Sequence, residues 1–109
     1  NLGYVLESKG FVVQEASRPS EAVKYVLKEE FGAVIFNMQL EDLNGVQIFS
    51  TIKAIDNKLP VIIVTDSDVT LSSVSSIIHE SFKLFQKPVG YIEIVEAVRE
   101  ATHMKVNSK

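Results

Sequence analysis

Apolar residues recur along this chain at two different periods, which predicts helices and strands in alternation. Leu2, Val5 and Leu6 lie at helical spacing, and we predict a first helix over residues 1–9. Residues 11–16 follow, rich in β-branched and aromatic side chains and bounded by turn-forming residues. We predict a strand there.

Two unbroken apolar runs predict strands that are covered on both faces. The first occupies residues 33–36 and the second residues 60–65. Continuous rather than alternating apolar runs are typical of strands inside a parallel sheet, because helices cover both faces of such sheets. A shorter strand is predicted over residues 82–86. The polar stretches 38–44 and 66–68 show no period, and we interpret them as loops at the carboxyl ends of the two apolar strands.

Helical spacing predicts four further helices between and after these strands. The first begins at the capping residue and early proline within residues 17–21 and runs to Glu30. The others run from Val46 to Ile55, from Leu71 to Glu80 and from Ile94 to Lys105. Helices that alternate with strands in this way predict parallel βαβ units and an α/β fold. At 109 residues, the chain is predicted to form a single domain over 1–109.

The beginning of the chain departs from this alternation. A strand should precede the first helix of an α/β fold, but no apolar run precedes Leu2. We therefore expect the first strand to be absent from this chain, so that the sequence is incomplete at its amino terminus.

Composition excludes several classes of function. The chain carries 11 basic and 14 acidic side chains, a net charge of −3, with no run of Lys or Arg, so we expect no direct binding to nucleic acid. It has no cysteine, which excludes disulfides and thiolate metal sites and favours a cytoplasmic location. Apolar runs are far shorter than the roughly 20 residues that span a bilayer, so we predict no membrane segment.

Four landmarks at the strand ends carry a family resemblance. The spacing of Asn37, Gly45, Thr65 and the pair Lys87-Pro88 resembles that of the receiver domains of response regulators. This resemblance implies a flavodoxin-like, doubly wound parallel sheet of the (βα)5 type, with strand order 2-1-3-4-5. It also implies two-component signalling, in which an aspartate at the position of Asn37 accepts a phosphoryl group from a histidine kinase. The Thr65 hydroxyl and the Lys87 ammonium would then contact that group.

Three residues depart from the family pattern. Asn37 is an amide, and an amide is neither an effective nucleophile nor a good ligand for Mg²⁺. Asp66 stands where the family has a small residue, and its charge is expected to repel a phosphoryl group. Leu84 replaces a switch tyrosine or phenylalanine, while Phe85 should point to the opposite face of the strand. The family's acidic pair for Mg²⁺ would precede Asn1, so we predict no cofactor and no enzymatic activity.

We therefore predict a receiver domain that is not phosphorylated and acts through protein contacts. The resemblance implies a histidine kinase or an output domain as partner, and a homodimer or partner surface within residues 66–105. One alternative is an active phosphoacceptor in which Asn37 has replaced the aspartate. Another is a flavodoxin-like cofactor-binding enzyme, which would need a phosphate-binding loop after the first strand. Taken alone, Asn37 would be an ordinary turn residue at a strand end.

Other polar residues are not predicted to form sites. Glu41 and Asp42 are interpreted as solvated turn residues before Gly45. His79 and His103 share no face with further metal ligands, and we predict both to be surface residues. The serines between residues 67 and 81 have no histidine placed to activate them, which argues against a hydrolase.

Overall fold

The computed structural model describes residues 1–68 and 75–107. Helices and strands alternate in it from the first apolar strand onward. In chain order the elements are α1 (Leu2–Ser8), α2 (Pro19–Lys28), β1 (Val34–Asn37), α3 (Leu43–Ile55), β2 (Val61–Thr65), α4 (Ser75–Glu80), β3 (Lys83–Gln86) and α5 (Tyr91–Asn107).

The three strands form one parallel sheet with β2 in the middle. β1 pairs with β2 from Val34 opposite Val61 to Asn37 opposite Val64. β2 pairs with β3 from Ile62 opposite Lys83 onward. Every residue of β2 is buried, as the unbroken apolar run predicts for a strand with a neighbour on each side and helices on both faces.

Helices cover both faces of this sheet, as expected for a doubly wound fold. Alternate residues of β2 point to opposite faces. Ile63 packs in a core that includes Phe49 and Ile52 of α3, against which α2 also packs. Ile62 packs in a second core that includes Val95 of α5 and residues of α1. The α/β, flavodoxin-like class is confirmed.

The strand predicted over residues 11–16 is wrong, because this described segment makes no strand pairing. Phe11 and Val13 turn toward the core on α5, whereas Val12 is fully exposed. A groove of about 570 Å³ lies between this segment and β1, where the strand order of the resembled family predicts a gap. The segment of residues 11–16 has the composition of a strand but no neighbouring strand to bond.

Helices α3 and α5 each begin three residues earlier than predicted, α5 at Tyr91 rather than Ile94. α3 begins at Leu43 rather than Val46, because the Asp42 carboxylate accepts a hydrogen bond from the Asn44 amide (3.0 Å) and caps the helix there. The helix predicted from Leu71 is described only from Ser75, and residues 71–74 lie outside the described part of the chain. No helix in the described ranges has the length and hydropathy needed to cross a membrane.

Candidate functional site at the carboxyl end of the sheet

The three strands end side by side, and this carboxyl end of the sheet carries the residues singled out in the sequence. Asn37 ends β1 opposite Val64, and the Met38 amide donates to the Val64 carbonyl (3.0 Å). Thr65 is the next residue of β2, and its carbonyl accepts from the Lys87 amide (2.8 Å). The fold therefore places Asn37, Thr65 and Lys87 at the ends of three adjacent strands.

Thr65 is fully buried, and its hydroxyl is engaged within the protein. Thr65 Oγ1 accepts a hydrogen bond from the Ser67 amide (3.0 Å), which turns the chain sharply after β2. Asn37, by contrast, is exposed at the end of β1. The buried hydroxyl and the exposed amide thus belong to different environments at the same end of the sheet.

Lys87 pairs with Asp66. The Nζ atom of Lys87 lies 3.8 Å from Oδ2 of Asp66, and the two side chains are 35% and 60% exposed. Exposed ion pairs contribute little to stability, because water and salt screen them. The pair nevertheless places a carboxylate beside the lysine, so Asp66 both carries negative charge into the site and partly neutralises Lys87.

Ser67 is the site residue that sequence reasoning missed. Its side chain is 6% exposed, and its hydroxyl contacts the loop that follows β1. Oγ accepts from the Leu40 amide (3.0 Å), lies 2.8 Å from Oε2 of Glu41 and lies 3.3 Å from Oε1 of Gln39. A serine in a polar loop is too common for its sequence position to have indicated this role.

Gly45 permits a close approach within the same region. A Cβ atom at this position would lie 3.3 Å from Cε and 3.5 Å from Cβ of Met38. Met38 is buried in the core, so a larger side chain at position 45 would push against a packed neighbour. The first turn of α3 can therefore pack directly against the start of the loop after β1.

Leu84 and Phe85 face opposite sides of β3. Leu84 packs against the core that contains Phe49 of α3, and Phe85 packs against the core that contains Val95 of α5. The predicted alternation is confirmed, and the two residues belong to different layers. β3 is followed by Lys87-Pro88, whose peptide bond is cis.

The acids and histidines of the described residues form no metal centre. No group of three or more His, Cys, Asp or Glu side chains in this part of the chain could hold a metal ion. At the end of β1 the available donor is the Asn37 amide, which is a weaker ligand for Mg²⁺ than a carboxylate. These donors do not fit the Mg²⁺ of the resembled family. His79 and His103 are both exposed, as predicted.

A family model and several relatives match this chain. The model of the response regulator receiver domain matches residues 1–99. The transcriptional regulatory protein GlrR of Escherichia coli is 27% identical over 100 residues, covering 92% of this chain and 22% of that protein. The sporulation initiation phosphotransferase F of Bacillus subtilis is 29% identical over 111 residues, covering 97% of this chain and 86% of that protein. The chain thus spans about a fifth of the regulator's length.

Solved structures give the same result. A CheY-like receiver domain protein from Methanospirillum hungatei has a TM-score of 0.85 at 21% identity, covering 99% of this chain and 86% of that chain. A receiver domain protein from Clostridium thermocellum has a TM-score of 0.83 at 25% identity, covering 99% and 87%. These likenesses agree with the fold of the sheet and its two helical layers, and the family model that matches residues 1–99 shows that the chain belongs to the response regulator receiver domain family of two-component signalling.

Proposed function

We propose that this receiver domain is not phosphorylated at Asn37 and acts in signalling through protein contacts alone. The observation that carries the proposal is the amide of Asn37 at the end of β1, the position that we take to correspond to the phosphate-accepting aspartate of the family. Phosphoryl transfer needs an anionic oxygen to attack phosphorus, and the lone pair of an amide nitrogen is delocalised into its carbonyl. Asn37 offers no such oxygen.

The surroundings of Asn37 support the same proposal. In the family, a lysine at the end of the last strand and a hydroxyl at the end of the strand before it contact the phosphoryl group. In this chain Lys87 pairs with Asp66, and Thr65 Oγ1 accepts from the Ser67 amide. The charge of Asp66 would oppose that of an incoming phosphoryl group. Because the donor set does not fit Mg²⁺, we assign no cofactor and no enzymatic activity to the domain.

An intact-mass experiment tests the proposal. The protein, expressed from its complete coding sequence, is incubated with acetyl phosphate and Mg²⁺, and we expect no phosphoryl adduct. Asn37→Asp restores a carboxylate, whose oxygen would attack phosphorus as the acetate oxygen leaves, giving an acyl phosphate. Asn57→Asp is the matched control, because it adds the same charge at an exposed position beyond α3. An adduct on the unaltered protein that trypsin digestion maps to residues 29–53 would overturn the proposal.

The proposed partners are proteins, a histidine kinase or an output domain, that contact the face built from residues 66–105. Within the described part of this face, Tyr91 and Ile92 at the start of α5 are exposed to 47% and 76%, and Ile78 of α4 is also exposed. Tyr91 and Ile92 are consecutive, and neighbouring exposed apolar side chains are typical of contact surfaces. The net charge of −3 and the absence of a basic run favour a protein partner over nucleic acid.

Self-association through this face is measurable by analytical ultracentrifugation. Ile92→Lys places a charge on the face, and we expect it to lower the dimer fraction at a given protein concentration. Leu43→Lys is the control, because Leu43 is as exposed (77%) but lies at the start of α3. If both substitutions lower the dimer fraction equally, or if neither lowers it, a dimer built on residues 66–105 is contradicted.

A further inference from the structure

The Ser67 hydroxyl joins the segment after β2 to the loop after β1. It contacts three consecutive residues of that loop, Gln39, Leu40 and Glu41, at 3.3, 3.0 and 2.8 Å. A hydroxyl donates one hydrogen and accepts at two lone pairs. It therefore accepts from the Leu40 backbone amide and donates its one hydrogen to Oε2 of Glu41, the nearer of the two side-chain oxygens, while Oε1 of Gln39 lies farther away.

The position of this hydroxyl is fixed from the sheet side. The Ser67 amide donates to Thr65 Oγ1 (3.0 Å), and Thr65 is fully buried at the end of the middle strand. Ser67 itself is 6% exposed. Buried hydrogen bonds are weakened little by water, and a bond to a carboxylate is stronger than one between neutral groups. The bond from the Leu40 amide is buried, whereas the bond to the Glu41 carboxylate is strengthened by charge but reached by solvent, since Glu41 is exposed.

Consecutive residues after β2 reach in opposite directions. Asp66 pairs with Lys87 beyond β3, and Ser67 bonds the loop beyond β1. Because β2 is the middle strand, the two side chains together connect the carboxyl ends of all three strands.

We propose that Ser67 is a positioning residue that fixes the loop of residues 39–41 in one conformation. The inference builds on the proposed function, since a domain that is not phosphorylated has no need of a loop that responds to a phosphoryl group. Removing the Ser67 hydroxyl leaves the buried Leu40 amide without its acceptor and frees the loop from the end of β2.

Hydrogen exchange at the Leu40 amide, followed by NMR, tests this role directly. In Ser67→Ala we expect that amide to exchange roughly five- to tenfold faster, the loss of one hydrogen bond. The Met38 amide, which donates to the Val64 carbonyl, is the internal reference and should change much less. Ser67→Thr keeps the hydroxyl and is expected to restore most of the protection. Ser81→Ala is the matched control, because its hydroxyl bonds Ile78 in an exposed position.

A second pair of variants reaches the same contact from its exposed side, so the test does not depend on altering a buried residue. Glu41→Ala removes the acceptor of the Ser67 hydroxyl, and we expect the Leu40 amide to exchange a few times faster. Glu41→Gln keeps an acceptor oxygen and should have a smaller effect. If Ser67→Ala leaves Leu40 unchanged, or accelerates Met38 equally, the positioning role is refuted. These measurements use no phosphodonor. They can therefore refute the positioning role of Ser67 while the intact-mass experiment supports the proposed function, and the intact-mass experiment can refute the proposed function while the exchange rates support the role of Ser67.

Discussion

β2 and the segment of residues 11–16 share a high strand propensity but have different structures. Both are rich in β-branched or aromatic residues, and both were predicted to be strands. β2 has a parallel neighbour on each side and is buried along its whole length. The segment lies across a groove from β1 and pairs with no strand in the described part of the chain. The difference teaches that strand propensity becomes a strand only where the fold supplies a hydrogen-bonding neighbour.

The largest expected contrast is in core packing. Ile63 of β2 is fully buried on the face of the sheet that α3 covers. Ile63→Ala should lower the free energy of unfolding by about 2–5 kcal/mol. Val12 is fully exposed, and Val12→Ala should change the free energy of unfolding by no more than about 0.5 kcal/mol. Urea unfolding of both variants measures this. A cost at Val12 comparable to that at Ile63 would show that the segment is packed like a strand.

The buried hydroxyl at the end of β2 gives the next largest effect. Thr65→Val keeps the shape of the side chain but leaves the Ser67 amide without its acceptor, at an expected loss of about 1–3 kcal/mol. Thr51→Val is the control, because the Thr51 hydroxyl bonds the Gln47 carbonyl on an exposed face of α3. Thermal unfolding of the pair compares them. Equal losses of stability in the two variants would mean that the buried Thr65 hydrogen bond contributes no more than the exposed Thr51 hydrogen bond.

Phe11, at the beginning of the segment 11–16, makes a contact that is weaker than the Thr65 hydrogen bond. The Arg99 guanidinium of α5 lies 6.0 Å from the centre of the Phe11 ring, a cation–π contact. Arg99→Gln should therefore lower the free energy of unfolding by about 0.5 kcal/mol, a small effect because the guanidinium is exposed. Arg99→Lys retains a cation and should lose less in the same urea titration. A loss above that of Thr65→Val would reverse the order of the two regions.

The smallest expected effect concerns the end of that segment and depends on pH. Hydrogen bonds from the Ser17 hydroxyl, the Ser17 amide and the Arg18 amide hold the pKa of Glu21 below its ordinary value of 4.5. A depressed pKa in the folded state means that ionised Glu21 stabilises the fold above pH 4.5. This contribution is lost as the pH falls through the lower folded value.

Glu21→Gln isolates the charge in this contact, because glutamine keeps an acceptor oxygen for the same donors. The unaltered protein should be slightly more stable than the variant at pH 7, and the difference should shrink as the solution is acidified below pH 4.5. Urea midpoints measured at several pH values follow it. A difference that grows on acidification would contradict the assigned direction of the pKa shift.

Much of the fold was readable because burial on both faces leaves an unbroken apolar run. Residues 33–36 and 60–65 were placed within one residue of β1 and β2 for this reason. The start of α3 was predicted too late, although Asp42 is a common helix-capping residue and could have indicated it. The strand at residues 11–16 was wrong because its propensity says nothing about whether a neighbour is present.

The candidate site was readable in part. Asn37 and Thr65 each end a strand and Lys87 follows one, and the carboxyl ends of parallel strands meet at one end of a sheet. The contacts of Ser67 with Gln39, Leu40 and Glu41 were not readable, because they depend on how two loops pass each other. The pairing of Asp66 with Lys87 likewise follows from the register of β2 and β3.

The parallel pairing of both strand ladders also bears on how the chain folds. Parallel strands cannot be joined by a hairpin, so neither ladder of β2 can close until the intervening stretch of chain has folded back. Contacts between residues distant in sequence form slowly. Until then the run from Val61 to Val64 is exposed on a growing polypeptide, with no charge within it to discourage association. The most buried strand of the finished domain is the one most in need of shielding during synthesis.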